Sequence, residues 1–490
     1  MRKTALAGLL ACLAVVGAMA GCGSGNDDEG PTARSQWSII EDHTALIRSG
    51  PEKRDATLRE FKELGADTVR LAVKWNEVAP APRSARRPSF DGADPGAYPG
   101  FEPFDAAIRG AQDLGLRVLI DLAPDAPRWA TKGAPPISAA TVNDDPDVAE
   151  FADFAGAVAK RYSGDYKGLP EVDWLSIWNE PNHWLFLKPA RRSPDIYREM
   201  VARAVPRIRD ANGGAHVLAG ETAAIGNPGT VIGPREFVQR WLCLDNRFQP
   251  IRTGSCSNFK PLELDGYAHH PYGPAQRVPK KKDLVSLLVI RRLGRYLDAA
   301  ARAGRLSPGL PIYSTEFGLQ SNPPDPTVGN SPRRQAALLN EKEEQGYRYP
   351  LLRSHAQYLL YDDPPRPGTT QKEIWSGFQT GLRFTDGTKK PAWDAYRLPL
   401  VVHREAGGGV LIWGRVRPGS GVRYVQLERR DGGAFTADGA RFATDDAGYF
   451  ELRRPQEAAY RFQAYADDAK AAKPIGTSRT AAPTPPTGGT

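Results

Sequence analysis

The chain has 490 residues, 40% of them hydrophobic and 25% charged. This is ordinary globular composition, with room for one large and one small domain or for two to four domains of typical size. The formal net charge of +8 is modest for this length. There is no block of five like charges, and the short runs RRP at 86–88 and KKK at 280–282 read as solvated surface rather than a nucleic-acid site.

Residues 1–22, MRKTALAGLLACLAVVGAMAGC, open with Arg2 and Lys3, run apolar from Ala5 to Ala20 and end in small residues. This is the pattern of an export signal. The apolar run is short for a membrane span, which takes about 20 residues. Met19-Ala20-Gly21-Cys22 resembles the lipobox of bacterial lipoproteins, in which cleavage leaves a cysteine to be lipidated. The resemblance implies a lipid anchor at Cys22 and a place on the outer face of the cell membrane. The alternative is cleavage after Ala18-Met19-Ala20 and free secretion. Residues 23–35 then read as a flexible tether. Loss of Cys12 with the leader and lipidation of Cys22 leave Cys243 and Cys256. Two cysteines this close in an exported chain predict one disulfide. No Cys/His spacing suggests a metal site.

From 36 to 400, short apolar runs alternate with amphipathic helical stretches. The predicted strands lie near 37–43, then at 68–73, 117–123, 172–179, 216–221, 265–270, 311–318 and 356–362. The predicted helices lie at 52–65, 104–115, 147–162, 194–213, 283–304 and 331–347, with Gly65 and Gly115 placed as C-caps. Eight near-continuous apolar strands alternating with helices predict a (β/α)8 TIM barrel, with a doubly wound open sheet as runner-up. Residues 401–466 change to short alternating strands with Gly- and Asp-rich turns, a small antiparallel β-sandwich domain. The Pro/Thr/Gly-rich end, 467–490, reads as disordered.

In a barrel, chemistry belongs at the carboxyl ends of the strands. Glu180, in WLSIWNEPN, comes off the fourth strand, and Glu316, in IYSTEFG, off the seventh. Two carboxyls facing each other across one mouth push their pKa values apart, so that one can donate a proton while the other attacks. Glycoside hydrolysis needs this pair.

WNEPN and TEFG resemble the strand-four and strand-seven motifs of the clan A retaining glycoside hydrolases, the cellulase-like and xylosidase-like barrels. The resemblance spans about 36–400. It implies a glycosidase acting on a poly- or oligosaccharide, with Glu180 as general acid/base, Glu316 as nucleophile and no cofactor. Asn179 would bond the sugar 2-hydroxyl, and Arg70 on strand two would pair with Glu316. In AHHPYG, Tyr272 would bond the nucleophile and His270 or His269 would meet the sugar. Trp375 would stack on the substrate. The competing reading is a surface lipoprotein whose degenerate barrel binds glycan without cutting it. Sugar identity, linkage, endo or exo action and oligomeric state are not legible.

Overall fold

A computed structural model describes residues 36–138, 141–273, 283–417, 421–466 and 473–485. The export signal, the tether and Cys22 lie outside the described residues. Among the described residues no helix is long and apolar enough to cross a membrane.

Eight parallel strands form the barrel: β1 Trp37–Glu41, β2 Thr68–Lys74, β3 Arg117–Ala123, β4 Trp174–Ile177, β5 His216–Ala223, β6 Gly266–His270, β7 Ile312–Ser314 and β8 Ser354–Tyr358. They pair in sequence order, and β8 returns to β1. The β7–β8 seam closes where the Ile312 N–H donates to Leu351 O at 2.8 Å and the Arg353 N–H to Ile312 O at 2.8 Å. The barrel reading therefore holds over the open sheet.

The helices are α1 Pro51–Leu64, α2 Trp75–Val78, α3 Glu102–Asp113, α4 Val148–Arg161, α5 Ser193–Ala211, α6 Pro234–Trp241, α7 Arg291–Arg302, α8 Pro332–Tyr347, α9 Gln371–Ile374 and α10 Pro391–Arg397. Local chemistry sets their ends. Pro51 starts α1, and Gly65, left-handed at φ 79°, ends it with its N–H on Lys62 O and Phe61 O. Asp147 caps α4 by accepting from Ala149 N and Glu150 N. The apolar faces of the larger helices join the strands in one core that includes Phe61, Phe104, Phe151, Met200, Trp241 and Leu293.

Several boundaries differ from expectation. The seventh strand is ladder-bonded over only three residues. The helix expected from 283 begins at Arg291, after a turn of 3₁₀ helix at Leu287–Val289. The short helices α6 and α10, each opening on Pro, had no predicted counterpart.

The C-terminal domain is two antiparallel sheets. One has strands β9 Leu400–Arg404, β10 Val410–Arg415 and β14 Tyr449–Arg454. The other has β11 Tyr424–Asp431, β12 Ala434–Ala437, β13 Phe442–Ala443, β15 Tyr460–Tyr465 and β16 Gly476–Thr477. Val402, Ile412, Val425, Leu427, Phe450 and Phe462 fill the space between them. Part of the expected disordered end belongs to this sandwich. Gln463 and Ala464 of β15 pair with Thr477 and Gly476, and Ala481 bridges Tyr460. The backbone pairing of a sheet edge, rather than composition, orders these residues.

Candidate active site

Arg70 is the hub of the barrel mouth. It points inward from β2 and is 2% exposed. Its Nη1 donates to Glu41 Oε2 at 2.5 Å and to Glu316 Oε1 at 2.8 Å. Its Nη2 donates to Asp121 Oδ2 and to Asn179 Oδ1, both at 3.0 Å. A guanidinium buried this deeply needs anions around it. Burial favours its neutral form, but Glu41, Asp121, Glu221 and Glu316 outweigh that and raise its pKa well above the usual value.

Glu180 lies three residues beyond β4, on a backbone with positive φ at Trp178 (63°) and Glu180 (40°). Such a conformation is uncommon outside glycine and accumulates at functional sites. The Glu180 N–H is fixed on Glu221 O at 2.9 Å. Glu316 lies two residues beyond β7, where it also accepts the Tyr272 hydroxyl at 3.2 Å.

His270 ties the two carboxyls together. Its Nδ1 is 3.0 Å from Glu180 Oε1 and 3.6 Å from Glu316 Oε2. Its Nε2 is 2.6 Å from Glu221 Oε2. The imidazole is wholly buried and held by carboxyls at both nitrogens, so it serves the acids rather than lining open space. His269 faces the other way. It meets the Thr222 hydroxyl at 2.8 Å and Val285 O at 2.7 Å, and burial lowers its pKa to about 4, which keeps it neutral. Alternation along β6 thus resolves which of the adjacent histidines turns inward.

Sequence reading missed Glu41, Asp121 and Glu221, the further acids around Arg70. Each interrupts an otherwise apolar run (WSIIE, RVLIDLA, HVLAGETA), and an acid inside a buried strand was the available signal. Burial raises Glu41 to about 7 against the pull of Arg70. Glu221 is held at about 2: burial works the other way, but Arg70 and His270 prevail.

The structure does not bring Trp375 into this group. It ends α9, with its indole N–H on Gln371 Oε1 at 3.1 Å. The rings beside Tyr272 are Phe317 and Phe378, both 6.3 Å away, and Tyr358 at 6.5 Å; of these Phe378 is 40% exposed. Cys243 and Cys256 are bonded, with Cα atoms 5.6 Å apart.

Two carboxyls from opposite walls of one barrel mouth, sharing an imidazole, match the needs of glycosidic bond cleavage. The chain is a glycosidase. Residues 27–346 match the family model Cellulase (glycosyl hydrolase family 5), and the chain belongs to that family, in keeping with its clan A motifs. No curated protein matches it. Among solved structures it is similar to a monomeric beta-xylosidase from Caulobacter crescentus CB15. That pair shows 16% identity and a TM-score of 0.52, over 89% of this chain and 97% of that one. It is also similar to a glucosidase from Croceicoccus marinus, with 14% identity and a TM-score of 0.51, over 86% and 94%. At these identities the likeness is one of fold.

Proposed function

We propose that this glycosidase cleaves a poly- or oligosaccharide with retention of configuration, Glu316 acting as nucleophile and Glu180 as general acid/base. The carrying observation is the placement of both carboxyls on one atom, His270 Nδ1. The two distances end to end put Glu180 Oε1 and Glu316 Oε2 no more than about 6.6 Å apart, close enough to act on one glycosidic bond, and the clan A motifs favour retention over inversion.

In the first step Glu316 attacks the anomeric carbon while Glu180 gives its proton to the departing oxygen, leaving a glycosyl ester on Glu316. In the second, Glu180 takes a proton from water, the hydroxyl oxygen attacks the same carbon, and Glu316 leaves as carboxylate. Arg70 and the Tyr272 hydroxyl hold the nucleophile from both of its oxygens. Asn179, whose Oδ1 accepts from Arg70, would meet the sugar 2-hydroxyl. The N-terminal pattern supports export and an anchor at Cys22, so incorporation of labelled fatty acid should disappear in Cys22→Ser.

The test is a panel of aryl glycosides and intact glycans, with the first-formed anomer followed by proton NMR. Retention is expected. Glu180→Gln should fall roughly 10²–10⁴-fold on substrates with poor leaving groups, and Glu316→Gln should lose turnover on all of them. An inverted product, or full turnover by either variant, overturns the assignment.

A further inference from the structure

Double displacement needs two carboxyls, yet the mouth holds three further acids, and one of them, Glu221 on β5, is wholly buried against the His270 ring. Its inward direction comes from an irregularity in the strand. Ala219 is level with Tyr267 and Thr222 with His269, so β5 spends three residues where β6 spends two. Thr222 and His269 bond to each other on the outer side. Tyr267 packs on Trp241 and faces out, so strict alternation starting from Ala219 beside it would turn Glu221 outward. The extra residue, with φ 115° at Gly220 and 43° at Glu221, turns the glutamate into the barrel.

There it is surrounded by donors. Thr315 Oγ1 donates to Oε2 at 2.7 Å, the Ser176 hydroxyl donates to Oε1, and Arg70 Nη2 lies 3.5 Å from Oε2. An acid so placed is an acceptor only, and the His270 Nε2 at 2.6 Å must carry a proton. The other ring nitrogen, Nδ1, faces the carboxyl oxygens of Glu180 at 3.0 Å and Glu316 at 3.6 Å.

We propose that Glu221 is a positioning residue that keeps the His270 ring doubly protonated and aimed at Glu180. The inference rests on Glu180 being the acid/base. When Glu180 passes its proton to the departing oxygen, the carboxylate it leaves already has Nδ1–H against Oε1, and the ring keeps its own proton. In the second step the carboxylate takes a proton from water and the contact persists.

Burial favours a neutral ring, but Glu316, Glu180 and Glu221 together lift the His270 pKa well above the ordinary imidazole value. The other charged or titratable groups near the ring are Arg70, Glu41 and Asp121, with neutral His269 behind. Arg70 is the only cation of that set, and it bonds the acids rather than the ring. Glu221, by contrast, contacts the ring directly.

The test is Glu221→Gln, which keeps the side chain's size and removes its charge. Nitrogen NMR of histidine-labelled protein should show both His270 nitrogens protonated at pH 7 in the parent and one deprotonated in the variant. With the cation gone beside Glu180 and Glu316, both limbs of the kcat/KM–pH profile should move up by about 1 unit. Glu221→Asp should restore part of the shift. A neutral His270 in the parent at pH 7 overturns the proposal, as does a folded Glu221→Gln with unchanged ring protonation and profile. The parent spectrum decides even if the variant does not fold. Failure of the Glu180 assignment is separately visible. Glu180→Ala would then keep its turnover, or would not be rescued by azide on a dinitrophenyl glycoside, whatever the ring's spectrum.

Discussion

Glu41 and Glu221 flank the same guanidinium and are driven in opposite directions. Glu41 takes one Arg70 N–H and faces the charge of Glu316, so burial wins and its pKa rises to about 7. Glu221 takes the imidazole and two hydroxyls as well, and falls to about 2. The linkage signs follow. A carboxyl with a raised pKa contributes stability that is whole below its unfolded value, 4.5, and is lost as pH climbs through about 7. Glu221 contributes stability that is present above 4.5 and is lost as pH falls through about 2. Glu41→Gln, which still offers Arg70 an oxygen, should therefore gain on the parent as pH rises from 4.5 to 7 and hold that gain above. Urea midpoints measured across that range check it, and parallel curves would count against it. At this scale the sequence disclosed Glu180, Glu316 and the Arg70–Glu316 pair, because an acid driven off an apolar strand and a buried arginine each demand an explanation. It did not disclose the further acids of the mouth. Their inward direction depends on strand register, and for Glu221 on a bulge that no alternation pattern contains.

Elements were legible where they were long. Eight apolar runs separated by amphipathic stretches state the barrel, and Gly65 marks the end of a helix because few other residues take its left-handed conformation. Helices of eight and seven residues, α6 and α10, give too few turns for a face to show. The β5 bulge is the element on which the site most depends, and Gly220 is the residue that permits it. A Cβ there would lie 2.7 Å from Ala268 O and 2.9 Å from the Tyr267 ring, on a backbone at φ 115°. Gly220→Ala should cost on the order of 2 kcal/mol or more, combining backbone strain with a clash that neither strand can easily relieve. Thermal unfolding should report that loss, and kcat should fall with it because Glu221 and His270 move. The disulfide gives the contrasting case. It closes the loop between α6 and β6, at the amino end of the barrel, where features serve stability rather than chemistry. Cys256→Ala should lose about 3 kcal/mol of stability on the chain-entropy model and leave kcat/KM unchanged at temperatures where the fold persists.

At the scale of the whole molecule the question is how the barrel and its β-sandwich are joined. Among the described residues, several contacts between them lie at the amino-terminal end of the barrel. Arg415 donates to Ser38 Oγ at 2.8 Å, at the amino-terminal side of β1. Arg417 donates to the same hydroxyl, to Tyr396 O at 2.6 Å and to Glu343 of α8 at 2.5 Å. Tyr347 of α8 packs on Trp413 and Tyr449 of the sandwich. Helix α8 is therefore covered on both sides, by the barrel and by the β-domain, and Glu343, 2% exposed, has its cationic partners in the second domain. A buried acid whose partner is removed is strongly destabilising, whereas replacing both members by apolar residues of similar volume is often close to neutral. Arg417→Met alone should thus cost about 3–5 kcal/mol, and Glu343→Met with Arg417→Met should recover most of that. Both variants should keep the parent kcat on an aryl glycoside while folded, since no atom of this pair reaches Arg70 or the site carboxyls. A double-mutant cycle on urea unfolding reads the coupling. A large coupling with unchanged kcat would make the sandwich a structural brace for the barrel, and additive losses would show that the arginines act singly on other partners.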